Sequence, residues 1–410
     1  MTATKEEPAL KSALRKSQRR ARRRAFLLVL PLLAFVLVSF ALPIATMLHR
    51  SVYNSAFADH MPELTAWFAA NPDQREPNEA AFAALVSDLR TSSEARTTGV
   101  VGTRVNYEIS GSRSLFTSAG RKVSDLKPPY AESLPAINRG WAEPRLWSTM
   151  RNVSQSYTGN FYLAALDLAR DKDGSIVSAP ADRQVYIALF ARTLLLSFAI
   201  SCICLLLGFP VAHLLATLPL RQSNLLMILV LLPFWTSLLV RTTAWIAILQ
   251  EQGVFNSMLV GLGILSDSGR LSLAYNRTGT IIAMTHILLP FMILPLYSVM
   301  RTINPSYVRA ARSLGASSWT AFRRVYLPQT LPGIGAGCLL VFILAVGYYI
   351  TPALVGGASG QLISNLIAFH MQNSLNWSLA AALAALLLAV VALLYWLYDR
   401  LVGIDKMKLA

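Results

Sequence analysis

The stretch from Asn304 to Gly333, NPSYVRAARSLGASSWTAFRRVYLPQTLPG, carries Arg309, Arg312, Arg323 and Arg324 and no carboxylate. Among them stand Tyr307, Val308, Trp319, Phe322 and Val325. Cations interleaved with apolar knobs suit a surface that a second protein grips, not covalent catalysis. Placement of basic loops on the inner side of a membrane is the plainer source of the arginines. A second set lies within apolar runs: Trp235, Arg241 and Trp245 in one, Tyr348 and Tyr349 in another. Aromatic faces hold amines by cation–π contact, and intramembrane charges tend to line cavities. These five residues form a candidate substrate path. Interfacial anchoring of the tyrosines and outward snorkelling of Arg241 are the alternatives.

The elements that position the first set are short. Asn304 suits a helix N-cap and Pro305 the first helical position, so a helix is predicted over about 305–314. Gly315 closes it in the left-handed conformation, and Ser317 or Ser318 caps a second helix running through Tyr326. Pro328 and Pro332 are expected to stop continuation. The second set needs spans. Counting from Leu225 at ~1.5 Å per residue, Arg241 falls some 24 Å along a straight helix, near the outer face of a ~30 Å hydrocarbon core.

With 54% hydrophobic and 14% charged residues, the chain is too apolar for a soluble globular protein. Its net charge of +16 is confined to particular loops: about +7 over residues 1 to 24, about +5 in the 301–332 loop, and near zero from His49 to Val185. That pattern reports membrane topology, not nucleic-acid binding. Cys202, Cys204 and Cys338 lie in apolar runs and read as small buried hydrophobes. The five histidines lack ligand spacing, so no metal site and no catalytic set is predicted.

In chain order, a basic cytoplasmic tail (1–24) with Arg15, Lys16, Arg19, Arg20, Arg22, Arg23 and Arg24 precedes a retained first span over 25–48. Residues 49–185 form a polar domain outside the membrane, expected to be a small mixed α/β unit. NEAAFAALVSDLR reads as a helix capped by Asn78, GVVGTRVNYEIS as a strand, and KPPY as a turn. Residues 186–400 supply five further spans, at about 186–217, 225–249, 279–300, 333–349 and 379–398, with the basic loop 301–332 between the fourth and fifth. The Gly333, Gly335 and Gly337 series suits close helix packing. A short cytoplasmic tail, 401–410, carries Lys406 and Lys408. The fold class is thus an all-α integral membrane protein of six transmembrane helices, with a small mixed α/β extracytoplasmic domain between the first and second.

Ala310, Ala311 and Gly315, then Val325, Leu327 and Pro328, stand at the spacing of the EAA loop, so this stretch resembles the coupling loop of binding-protein-dependent ABC importer permeases. Arg309 departs from the motif, whose first position is usually acidic. ARTLLLSF, GFPVA, LLPFWTSLLVRTTAWIAIL, LLPFMILPLYSVM and YYITPALVGG extend the resemblance to the spermidine/putrescine-type branch, over a little more than half of the chain. The resemblance implies a bacterial inner-membrane, multi-pass permease with both termini cytoplasmic. Two permeases would form the path, an ABC ATPase dimer would hold the paired loops with ATP and Mg, and a periplasmic binding protein would deliver a polyamine-like solute. The chain has no Gly-rich loop ending in Gly-Lys-Ser/Thr, so ATP hydrolysis is expected on the partner, and this chain is expected to bind no cofactor. An opine or organophosphonate substrate stays open at this stage. An ion-coupled secondary transporter is the rival class, although the spans as read contain no carboxylate.

Overall fold

The computed structural model describes residues 6–74, 76–171 and 175–402. Among the described residues five helices are long and apolar enough to cross a membrane: Ser17–Arg50, Ala181–Thr217, Arg277–Thr302, Ser318–Gly347 and Trp377–Arg400. The pair Leu220–Trp235 and Leu238–Gly261, bent by 97° at its break, gives a sixth span when counted as one. Continuous helices are what a bilayer demands, because each satisfies its own backbone polar groups. The chain is a multi-pass membrane protein.

Helix Arg277–Thr302 lies at the centre of the bundle. Its Met292 and Ile293 pack against Gly208 of the second span, and Gly333 and Gly337 of the fifth bring that backbone against Pro295, Leu296 and Met292. Gly335 faces the other way, onto the Tyr398 hydroxyl of the last span. The alternation of the three glycines therefore serves two interfaces, the close backbone approach their spacing suggested. By contrast, the hydrophobic stretch of the first span is unburied, and that helix joins the others only near Leu42–Arg50, where the Arg50 guanidinium sits 5.8 Å from the Trp377 ring centre.

Three expectations about the spans need correction. The third is not straight: its first helix ends at Trp235, Thr236 and Ser237 are extended, and a new helix starts at Leu238. Pro233 close to the break lacks an amide hydrogen, which weakens the last turn. Second, Pro328 and Pro332 do not end the helix that starts at Ser318; it runs on to Gly347. A π-helical turn over Phe322–Tyr326, with the Leu327 amide reaching back to the Phe322 carbonyl, precedes Pro328 and puts it in the first turn of the following α-helix, where its ring is tolerated. Third, only Cys204 is fully buried; Cys338 is half-buried and Cys202 exposed. The last helix runs over Trp377–Val402 and so includes Asp399, beyond the predicted end of the span. Helix Ile363–Gln372, which the sequence reading left unassigned, precedes it. Lys406 and Lys408 lie outside the described residues.

The inserted domain is helical. The expected strand at residues 99–110 is instead helix Thr98–Asn106: Val101 and Val105, four apart, are fully buried, and Gly102 lets the helix approach Phe116. Burial at helical spacing overrides the β-propensity of the valines. Among the described residues the only strands are Leu168–Arg170 and Ile176–Ser178, an antiparallel pair outside the domain's core. Asn78 caps Glu79–Glu94 as expected, accepting from the Ala81 amide at 3.0 Å. Phe116, Trp141 and Trp147 fill the centre.

Helix Pro62–Ala70 is held at both ends by side chains. The Asp88 carboxylate accepts from the Glu63 and Leu64 amides at 3.1 and 2.8 Å, and Arg151 donates to the Asn71 carbonyl at 2.7 Å and to the Gln74 carbonyl at 2.5 Å. An acid at the N-terminus and a base at the C-terminus complement the helix dipole. Burial nevertheless pushes the Asp88 carboxyl up to about 6, against the pull of those two amides. The domain is also fastened to the spans. Asp167 accepts from the amides of Val185, Tyr186 and Ile187 at 2.9–3.1 Å and so caps the second span. Asn54 donates to Ser378 at 3.1 Å, and the Tyr107 hydroxyl to the Leu375 carbonyl at 3.2 Å.

Candidate functional site

The loop after the fourth span forms two helices at a fixed turn. Asn304 accepts from the Ser306 amide at 3.0 Å, capping Pro305–Ser313. Gly315 closes that helix with φ +90°; its amide bonds to the Arg312 carbonyl and the Ala316 amide to the Ala311 carbonyl, each at 3.0 Å. These are the paired bonds of a Schellman cap, and they need the left-handed residue between them. Ser317 then caps the next helix, accepting from the Thr320 amide at 3.2 Å.

On this frame Arg309, Ala310, Gly315 and Pro328 are exposed, and Ala311, Val325 and Leu327 half-buried. The exposed apolar knobs are Tyr307, Leu314 and Trp319; Leu314, at 89%, was missed from the sequence. Val308 and Phe322, expected outside, pack against the membrane core. Phe322 belongs to a stacked row, Trp319–Phe322–Tyr326, with ring centres 5.7 and 5.9 Å apart. Phe209 of the second span meets Phe322 edge-on, and His213 lies 2.9 Å from the Tyr326 hydroxyl. Arg301, at the end of the fourth span, donates to the Ala216 carbonyl at 2.9 Å. The loop's base is thus tied to the second, fourth and fifth spans. Phe209 falls within the GFPVA stretch, and His213 has no sequence signal beyond its place near the span's end.

The candidate path residues have different partners. Arg241 does not stand free. Its guanidinium donates to the carbonyls of Pro233 and Thr236, and its Nε reaches the Thr236 hydroxyl at 3.1 Å, filling the acceptors that the helix break leaves open. Trp245 donates from Nε1 to His286 Nδ1 at 3.1 Å, and the two rings meet edge-on with centres 5.3 Å apart. Trp245 is thus paired with His286 of the fourth span, a residue to which the sequence assigns no role. Trp235 is 72% exposed. The carbonyls of Tyr348 and Tyr349, at the end of the fifth span, accept from Ser364 and Asn365 at 2.6 Å each. Among the described residues no three His, Cys, Asp or Glu cluster as metal ligands.

Residues 205–403 match the family described as binding-protein-dependent transport system inner membrane component. The spermidine/putrescine transport system permease protein PotB of Haemophilus influenzae is 39% identical over 216 residues, 53% of this chain and 75% of that protein. PotB of Escherichia coli K12 is 37% identical over 222 residues, covering 53% and 80%. A solved bacterial alginate ABC transporter, in complex with alginate pentasaccharide-bound periplasmic protein, is similar at 18% identity with a TM-score of 0.45, covering 70% of this chain and 97% of that one. The matched region takes in the central glycines, the broken span and the two-helix loop, and the chain belongs to the family of binding-protein-dependent transport inner membrane components: it is an ABC importer permease subunit, a transport protein and not an enzyme.

Proposed function

We propose that this chain moves a small polyamine-like solute across a bacterial inner membrane by alternating access, driven by a separate ATPase that grips the loop 301–332. The names of the similar permeases support the solute class. The observation that carries the coupling is the rigid presentation of Tyr307, Arg309, Arg312, Leu314 and Trp319 on a capped turn continuous with the fifth span. A push on Ala310, Ala311 or Gly315 reaches the bundle through the helix containing Val325, Leu327 and Pro328, and through the Tyr326–His213 contact. Arg309 has no partner among the described residues, so it is free to meet a carboxylate of the ATPase, the reverse of the motif's usual polarity.

In this reading ATP and Mg sit on the ATPase dimer, a second permease completes the path, and a periplasmic binding protein delivers the solute on the side of the 49–185 domain. Both termini then face the cytoplasm. Because the Arg241 charge is spent on backbone carbonyls, it opposes a cation less than a bare guanidinium would, and Trp245, Tyr348 and Tyr349 are left to hold an amine. ATP binding shifts the equilibrium only by its different affinity for the two states. Cross-linking tests the coupling. With Cys202, Cys204 and Cys338 replaced, a cysteine at Leu314 should cross-link to the ATPase in native membranes, and one at Trp235 should not. A Leu314 cysteine that yields no ATPase adduct in actively transporting membranes defeats the proposal.

A further inference from the structure

A cavity of about 600 Å³ lies on the seam between the inserted domain and the outer turns of two spans. Its volume is in the range of small-ligand sites. One wall is helix Pro144–Ser154, which turns Arg145, Thr149 and Asn152 toward it at helical spacing i, i+4, i+7. None of these three side chains has a hydrogen-bond or ion-pair partner among the described residues, although Asn152 is half-buried. Asp182, also on the lining, is likewise unpartnered among them. The floor differs. Leu163 and Ala164 line it together with Tyr186 and Leu379, which stand in the first turns of the second and last spans. The lining therefore joins apolar residues from the first turns of two spans to polar residues of the domain.

Charge narrows the occupant. The lining holds Arg145, Arg170 and Arg183 against Glu108, Asp171 and Asp182, three of each sign. Arg183 is spent on the Glu108 carbonyl and the Ser110 hydroxyl, at 3.0 and 3.2 Å. An anion alone would leave Asp182 uncompensated, and a cation alone would leave Arg145 so. A group that carries both a phosphate and an ammonium meets both, and a guanidinium is well matched to phosphate oxygens.

We propose that this cavity is a binding site for one zwitterionic phospholipid of the phosphatidylethanolamine type. The phosphate lies against Arg145, Thr149 and Asn152, the ammonium against Asp182, and the acyl chains leave over Leu163, Ala164 and Leu379. The lipid fills the seam between the domain and the spans, and so joins Asp167 and Asn54 in fixing one to the other.

The test uses the full chain, delipidated in detergent, with bound lipid counted by native mass spectrometry. Dioleoylphosphatidylethanolamine should be retained one per chain, in preference to dioleoylphosphatidylglycerol. The double variant R145A/D182A should lose that retention by about tenfold, since each removes a charge-assisted contact. D182R, which turns the lining basic, should reverse the preference toward phosphatidylglycerol. Both positions are exposed and hold nothing else among the described residues, so the variants keep the fold. Glycerophosphoethanolamine, the headgroup without chains, should not compete at equal concentration. Unchanged retention in the double variant, equal retention of the two lipids by the natural chain, or full competition by the free headgroup would each overturn the assignment.

Discussion

The turn at Gly315 is the narrowest point in the proposed path of force, and its replacement by valine tests that path. Gly315 sits at φ +90°, and a Cβ added there would meet nothing within 4 Å. The effect of Gly315→Val is therefore confined to the backbone. A β-branched residue in the left-handed region costs about 2 kcal/mol, and at ~1.4 kcal/mol per decade this reduces the capped loop by up to about thirtyfold relative to uncapped forms. Uncapping gives up the bonds from Gly315 to Arg312 and from Ala316 to Ala311, which fix the angle between the two short helices. The assay is ATP-driven spermidine uptake into proteoliposomes holding the whole transporter, read beside ATP hydrolysis and chain abundance. Uptake should fall severalfold or more while hydrolysis and abundance hold. Gly315→Asn should recover most of it, because asparagine tolerates this conformation. Full uptake by the valine variant, or an asparagine variant as impaired as valine, would refute the reasoning.

Other outcomes follow from single contacts. Arg241→Met leaves the Pro233 and Thr236 carbonyls without their donor, at about 1–3 kcal/mol per orphaned group, so the detergent-solubilised chain should melt earlier; an unchanged melting temperature would contradict the role given to Arg241. Gly335→Ala drives a methyl into the Tyr398 hydroxyl and should destabilise by about 1–3 kcal/mol, with Tyr398→Ala restoring the loss in the double variant. Asp88 gives a pH dependence. Its carboxyl titrates at about 6 when folded and at 3.8 in the reference state, so the folded domain binds the extra proton between those values. Its contribution is greatest below pH ~4 and falls by up to about 3 kcal/mol as pH rises through about 6. Hydrogen exchange at residues 62–70, corrected for intrinsic rates, should show protection falling over that window, and Asp88→Asn should flatten the dependence.

Much of the membrane part was legible because a bilayer leaves few choices. Long apolar runs must be helices, and Tyr186–Thr217 emerged with the bounds that its composition suggested. The capped turn was equally readable, since Asn304, Pro305, Gly315 and Ser317 each act through local backbone chemistry. What failed depended on distant partners. The break at Thr236–Ser237 is held by a side chain that returns to it, so Arg241 looked like an isolated charge when counted along a straight helix. The helix at Thr98–Asn106 owes its form to Phe116 and the domain core, which valine content does not reveal. Similarly, Phe322 has no feature in the sequence that distinguishes it from Trp319; its inward place depends on Phe209 of the second span. The helical continuation through Pro328 rests on a widened turn that no single residue announces.

The energy source of transport is the most direct test of the central claim. Proteoliposomes containing this chain, its second permease and the ATPase should take up spermidine only with ATP and the binding protein present, and uptake should stop when ATP is replaced by a non-hydrolysable analogue. Uptake by this polypeptide without the ATPase, rising with an imposed proton or sodium gradient, would contradict the account.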